Sequence, residues 1–258
     1  MKGGKAMKKT TVMALAALAA AELFAMQGSV STETETFSGD VKWHARDKKY
    51  VIEKGKVTKE FNLADVTALD IPKPANFDKL VGMVEGGQGA SAVAALAKIV
   101  ADYRMLQWDK PAGRYLALAH LAAGNAQKAY DACRPIVAED KSAAYSGDLA
   151  AAYWQALLKL GKRDELEKLL GTAAKCGSRQ AAAAAFVMRG DMIVAESNDA
   201  PEELKRALRD GYMRVVLMFQ DSACARERRE AMMKAAQCFD KFGQSSRAET
   251  LRAQAKGV

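Results

Sequence analysis

The side chains of this 258-residue chain that could do chemistry are few and scattered. His44 and His120 are its two histidines, and neither has a cysteine or carboxylate partner at a metal-ligand spacing. Cys133, Cys176, Cys224 and Cys238 show no zinc spacing either. Read as parts of one helix, Cys224 and Cys238 would stand about 21 Å apart, too far to bond. The four read as small buried thiols, with a disulfide as the alternative. Gly86-Gly87-Gln88-Gly89 resembles a phosphate loop in composition, but the Gly-Lys-Ser/Thr that completes one is missing, so it reads as a turn between helices. Glu165 with Glu167, and Glu202 with Glu203, read as carboxylates on solvated helix faces rather than acid/base pairs. No nucleophile elbow, dinucleotide glycine motif or HExxH helix is present in the sequence. These residues predict a non-enzymatic protein with no catalytic residue, cofactor or metal.

Charge and aromatic constellations point to binding instead. Residues 42–60 hold seven basic and three acidic side chains, with Trp43 and Tyr50 interleaved. Lys42, Trp43, Arg46, Lys48, Lys49, Lys54 and Lys56 are therefore candidates for contact with an anionic polymer or lipid surface. The alternative is a sheet edge that lysines protect from aggregation. Arg226, Arg228 and Arg229, with Glu227 and Glu230, read as a solvated helix face. Trp108 and Trp154 read as core between packed helices.

These residues must be held by a chain whose N-terminus has a separate purpose. Lys2, Lys5, Lys8 and Lys9 precede an apolar run from Val12 to Ala21, and Ala25 is a small residue suited to a cleavage site. That is the layout of a signal peptide, residues 1–25, and it predicts a periplasmic or secreted protein. An uncleaved anchor interrupted at Glu22 is the alternative, though the run falls short of the roughly 20 residues a spanning helix needs. The remaining chain has 35 basic and 30 acidic residues, a balance of +5 that solubility alone explains and that does not imply nucleic acid.

Residues 26–72 show the alternation and turn signals of a small antiparallel sheet. Its first thirteen residues, rich in Ser and Thr, read as a flexible leader or a short first strand. Strands are expected around Val41–Ala45, Tyr50–Glu53 and Val57–Phe61, and a fourth within Val66–Ile71. Pro72 and Pro74 mark a boundary, and residues 73–258 read as helical throughout. Within them Gly87, Gly124, Gly161 and Asn198 recur at 37-residue steps, and Gly243 follows after 45. Five residues beyond most of these turns comes a small or aliphatic residue: Ala92, Ala129, Leu166 and Ala248, with Ala207 after the longer loop. A turn glycine followed by a small contact residue is the grammar of stacked helix pairs, which bury their apolar faces against one another.

The pattern resembles the tetratricopeptide repeat family over roughly residues 76–256. The family's small-residue pair, aromatic, turn and small contact are matched by Ala235-Ala236, Phe239, Phe242-Gly243 and Ala248. The chain departs from the family in its longer period, in lacking proline after most second helices and across Ser178–Phe219. The exported context also resembles periplasmic repeat proteins that coordinate envelope assembly. The expectation is a mainly α fold: a helical-repeat solenoid of about five helix pairs, preceded by the small antiparallel β element. The resemblance implies a scaffold that binds a protein or peptide in a concave groove lined by first helices. The candidate groove residues are Arg114, Gln155, Lys159, Asp191 and Gln237.

Overall fold

A computed structural model of the protein describes residues 25–258. The expected signal peptide lies outside the described residues except for Ala25. Among the described residues no helix is long and apolar enough to cross a membrane.

The fold is mainly α with a small five-stranded sheet in front. The strands are β1 (Met26–Ser31), β2 (Thr36–His44), β3 (Lys49–Lys54), β4 (Val57–Asn62) and β5 (Ala68–Asp70). They pair antiparallel in the order β4-β3-β2-β1-β5. The Ser/Thr-rich segment taken as a leader or a short strand therefore forms β1 near the middle of the sheet, and the start of β2. The three hairpin strands read from the sequence are present, and β5 lies within Val66–Ile71. Val30, Val41, Trp43, Tyr50, Ile52 and Phe61 cluster in a core with Ile71, Met105 and Leu106.

Eleven helical segments follow: α1 (Phe77–Glu85), α2 (Gly89–Asp102), α3 (Asp109–Ala122), α4 (Ala126–Glu139), α5 (Ala150–Lys159), α6 (Arg163–Ala173), α7 (Arg179–Glu196), α8 (Pro201–Ala207), α9 (Met213–Met218), α10 (Ala225–Lys241) and α11 (Ser245–Lys256). A π-helical turn, Leu208–Tyr212, fuses α8 and α9 into one bent helix. Four helix pairs close through three-residue turns, and Gly87, Gly124, Gly161 and Gly243 sit there at φ between 66° and 78°. Only glycine adopts that left-handed region without steric cost. Asn198 takes it at 45° in the longer turn of the fourth pair, as short polar side chains are able to do.

The contact positions read from the repeat are all buried: Ala92, Ala129, Leu166, Ala207 and Ala248 are fully inaccessible. First helices pack in sequence, α1 on α3, α3 on α5, α5 on α7 and α7 on α10. Ala129→Leu and Ala248→Leu should each overpack a closed pair and cost about 1–3 kcal/mol. Chemical denaturation checks this; two unchanged midpoints would show that these alanines are not the pair contacts.

The sheet is bolted to the first helical connection. The Trp108 indole donates to the Ile71 carbonyl at 2.7 Å, the Tyr50 hydroxyl to the Met105 carbonyl at 2.9 Å, and the Ile71 amide to Gln107 Oε1 at 3.1 Å. Met105 and Gln107 hold positive φ values of 58° and 74°, a strain that non-glycine residues sustain only when their surroundings hold them. Asp109 contributes, since its Oδ2 accepts the Met105 amide at 2.9 Å.

Candidate functional site at the loop edge

Every first helix runs away from one edge of the stack and every second helix returns to it. On the far edge lie the tight turns. On the near edge lie the connections 103–108, 140–149, 174–178 and 219–224, of five to ten residues. Chain ends that cannot be drawn tight leave gaps, and three of the described cavities, the two largest among them, lie along this edge.

The connection 140–149 is their shared wall. Asp140 Oδ1 accepts both the amide of Ser142, at 2.9 Å, and its hydroxyl, at 2.6 Å, which starts a 3-10 turn over Lys141–Ala144. Its Oδ2 pairs with Lys110 Nζ at 2.5 Å. Burial works against the charged form, but these donors outweigh it and hold the Asp140 carboxyl below its usual range. The Trp154 indole donates to the Ala144 carbonyl at 2.8 Å and fastens the far end of the turn to α5.

On one side of this connection is a cleft of about 990 Å³. Lys110, Lys168 and Lys175 line it, with the hydroxyls of Ser142, Tyr145, Ser146 and Thr172 and the thiol of Cys176, and no carboxylate. Lys168 and Lys175 make no ion pair among the described residues. The cleft is thus a positive, hydroxyl-rich concavity suited to an anion.

A second cavity, about 620 Å³, lies between the sheet and this same connection, where Tyr50, Leu69, Met105, Asp109 and Glu139 line it. Burial raises the Asp109 carboxyl above its ordinary range against the pull of the Met105 and Lys110 amides. Its commitment to those amides makes it a structural acid.

A third, about 150 Å³, is walled by Tyr145–Asp148, the first turns of α5 and α7, and Arg226 and Glu227 at the start of α10. Glu227 is only 6% exposed, and its Oε2 has no hydrogen-bond partner. The reading of residues 226–230 as a solvated face therefore fails at Glu227, which faces the packed helices. The cause is position: in the first turn of α10, Glu227 sits against α7, and Gln180 Nε2 approaches its Oε1 at 3.4 Å.

The expected groove residues do not line these three cavities. Arg114 reaches Asp148 at 4.0 Å and covers the Tyr115 ring. Gln155 is half-buried on α5, while Lys159 and Gln237 are exposed. Asp191, offered as a groove contact, is committed internally. Its Oδ1 accepts the Tyr212 hydroxyl at 2.8 Å and its Oδ2 meets Lys234 at 2.5 Å.

The basic segment is also redistributed. Arg46 and Lys48 are exposed in the β2–β3 turn, with Lys49 beside them, whereas Lys54 and Lys56 flank the β3–β4 turn. Lys49 and Lys54 are the first and last residues of β3, about 16 Å apart at 3.3 Å per residue. Lys42 pairs with Glu53 at 2.8 Å and Lys49 with Glu60 at 3.0 Å. Trp43, offered as a surface contact, is in the core, its ring 4.8 Å from that of Tyr50. Strand alternation turns it inward with Val41, because residues two apart share a face.

All four cysteines are free; Cys133, Cys224 and Cys238 are buried and Cys176 is exposed. Burial pushes the Cys133 thiol up to about 12. Among the described residues no cluster of three His, Cys, Asp or Glu side chains could hold a metal ion. Trp154 is core, as expected, and Trp108 is the half-buried link to the sheet. No family model, curated protein or solved structure matches this chain.

Proposed function

We propose that this chain is an exported, non-enzymatic scaffold that holds a segment of a partner protein along its loop edge, with acidic side chains of that segment in the Lys168–Lys175 cleft. One observation carries the reading. The largest cavity gathers three lysines and four hydroxyls without a carboxylate, and two of the lysines have no ion-pair partner. The resemblance to tetratricopeptide repeats supports protein binding as the purpose of the stack. The proposal moves recognition from the middle of the concave face to its edge, where the structure has open volume. A role in envelope assembly follows from export and is part of the same proposal. Strand β1 lies between β2 and β5, so leader cleavage that preserves the sheet falls at or before Met26. Attachment to an anionic surface through the hairpin is less favoured, since its lysines are split between two ends of the sheet and partly neutralised.

Two reversed charges a few ångströms from a bound carboxylate should cost well over 1.4 kcal/mol, or tenfold in affinity. A fluorescein-labelled peptide carrying three consecutive glutamates, titrated by anisotropy at about 0.15 M salt, should bind the wild type and lose at least tenfold in Lys168→Glu/Lys175→Glu. Its glutamine counterpart should not bind. Lys48→Glu/Lys54→Glu/Lys56→Glu should leave the titration nearly unchanged, because distant exposed charges are screened. Peptide binding that survives the cleft reversal, or phosphatidylglycerol vesicle binding that the hairpin reversal abolishes, would overturn the proposal.

A further inference from the structure

The cavity beside Glu227 has a chemistry opposite to that of the lysine cleft, and the two share Tyr145, Ser146 and Gly147 as a wall. A carboxylate withdrawn from water needs partners for its oxygens, and leaving one unmet costs more than a typical hydrogen bond returns. Glu227 Oε2 is such an oxygen: it is buried, without a partner, on a side chain that lines open volume. Asp148 stands at the rim, 60% exposed and within 4.0 Å of Arg114, so Glu227 carries the negative charge of the cavity. Arg226 is the one cation in the lining, and it is exposed, so its charge is solvated and does not neutralise Glu227. The remaining walls are small or aromatic: Ala150, Ala151, Ala181, Ala184, Tyr145 and Trp154.

We propose that this cavity is a subsite for one alkylammonium group, the side chain of a lysine in the bound segment. Volume, walls and charge agree on that ligand. At about 30 Å³ for each water-sized position, 150 Å³ accommodates about five heavy atoms, the number beyond Cα in lysine. The aliphatic stem lies along the alanines, and the Glu227 carboxylate, whose Oε2 is closed off from solvent, turns toward the cavity to meet the ammonium. A guanidinium is a poorer fit, because its planar fork seeks two acceptor oxygens side by side and Oε1 is already approached by Gln180. A divalent cation would need six or more oxygens, which the lining does not supply. The biological meaning of the subsite rests on the reading of the loop edge as a docking surface. A segment bound there would carry a lysine beside its acidic residues.

Calorimetric titration of the full chain with N-acetyl-lysine N-methylamide tests the subsite by itself. The wild type should bind it saturably at one site, and N-acetyl-norleucine N-methylamide, which lacks the charge, should not bind. Glu227→Gln should weaken binding at least tenfold while melting no lower than the wild type, since it removes an uncompensated buried charge. Ala151→Leu fills the cavity and leaves Glu227 in place; it should abolish binding, and it decides the matter if Glu227→Gln does not fold. Lys168→Glu/Lys175→Glu should leave lysine binding unchanged, so that failure of the acidic-segment reading and failure of this subsite are read separately. Absence of saturable binding to the wild type, or equal affinity in Glu227→Gln, would overturn the proposal.

Discussion

Gly211→Ala is expected to destabilise the protein by about 2 kcal/mol or more, whereas Gly82→Ala should stabilise it by about 0.5–1 kcal/mol. Both glycines lie in helical backbone, so alanine gains propensity at each. The difference is what a Cβ would meet. At Gly82, on the exposed side of α1, nothing lies within 4 Å. At Gly211, in the π-helical turn, a Cβ would fall 2.7 Å from the Cα and 2.8 Å from the amide nitrogen of Gly190 on α7. These are backbone atoms of an 18-residue helix, and no rotamer change can move them aside. Overpacking of that kind outweighs a propensity gain of at most about 1 kcal/mol. At roughly 2–4 °C per kcal/mol for a chain of this size, thermal melts should move apart by about 5–12 °C in opposite directions. Equal shifts would show that the two backbones do not cross there.

That crossing also explains why the fourth helix pair departs from the repeat. Gly190 has no room for a Cβ because the Tyr212 ring lies 2.4 Å from where it would sit. With the ring against α7, the Tyr212 hydroxyl reaches Asp191. The π turn absorbs one extra residue in a second helix that runs from Pro201 to Met218, longer than the other second helices, and the spacing from Asn198 to Gly243 lengthens with it. Sequence periodicity exposes such a defect as a poor fit of Ser178–Phe219. It cannot show that the defect is a close backbone contact, because only the paired positions 190 and 211 together reveal it. The regular pairs were legible for the opposite reason. A left-handed turn demands glycine, and a closed helix contact demands a small residue, so local chemistry repeats with the architecture.

The sheet was legible only where alternation is strong. Val41, Trp43, Tyr50, Ile52 and Phe61 announce their strands, whereas β1 reads Met-Gln-Gly-Ser-Val-Ser, with one fully buried apolar residue, Val30. Its place comes from backbone pairing to β2 and β5 on either side, a long-range fact that composition does not carry. The candidate site was less legible still. Its cavities are walled by connections, by helix ends drawn from four different helix pairs and, for one of them, by the sheet, which have no period of their own. Glu227 is the clearest case. In Arg226-Glu227-Arg228-Arg229-Glu230 every residue favours water, and only the approach of α7 over the first turn of α10 decides that Glu227 is covered. The first helices α5, α7 and α10 meet at the Glu227 cavity through their N-terminal turns, whereas Gln155, Lys159, Asp191 and Gln237 lie further along them.

The site's dependence on one side chain makes Trp154 the second large-effect position. Trp154 is 1% exposed and among the largest fully buried side chains. Trp154→Ala should cost about 3–5 kcal/mol from the cavity it leaves, and its indole is the donor to the Ala144 carbonyl. The third of five pairs would then be broken, and a stack held by neighbour contacts should lose cooperativity there. The expected melt is broader, or has two steps. Trp154→Phe separates function from stability. Phenylalanine keeps most of the ring contacts but donates nothing to Ala144, so the connection 140–149 loses the bond that fastens it to α5. A smaller cost, about 1–3 kcal/mol, follows from the unmet carbonyl and lost volume, and the chain remains folded at 25 °C. Ser142, Tyr145, Ser146 and Gly147 ride on that connection and line the cleft or the Glu227 cavity. Both the glutamate peptide and the lysine analogue should therefore bind several-fold more weakly to the folded Trp154→Phe protein. The two recognitions are thus expected to fall together in this variant, although cleft and cavity substitutions affect them singly. Wild-type affinity for both ligands in Trp154→Phe, measured well below its melting temperature, would show that the connection does not position the site.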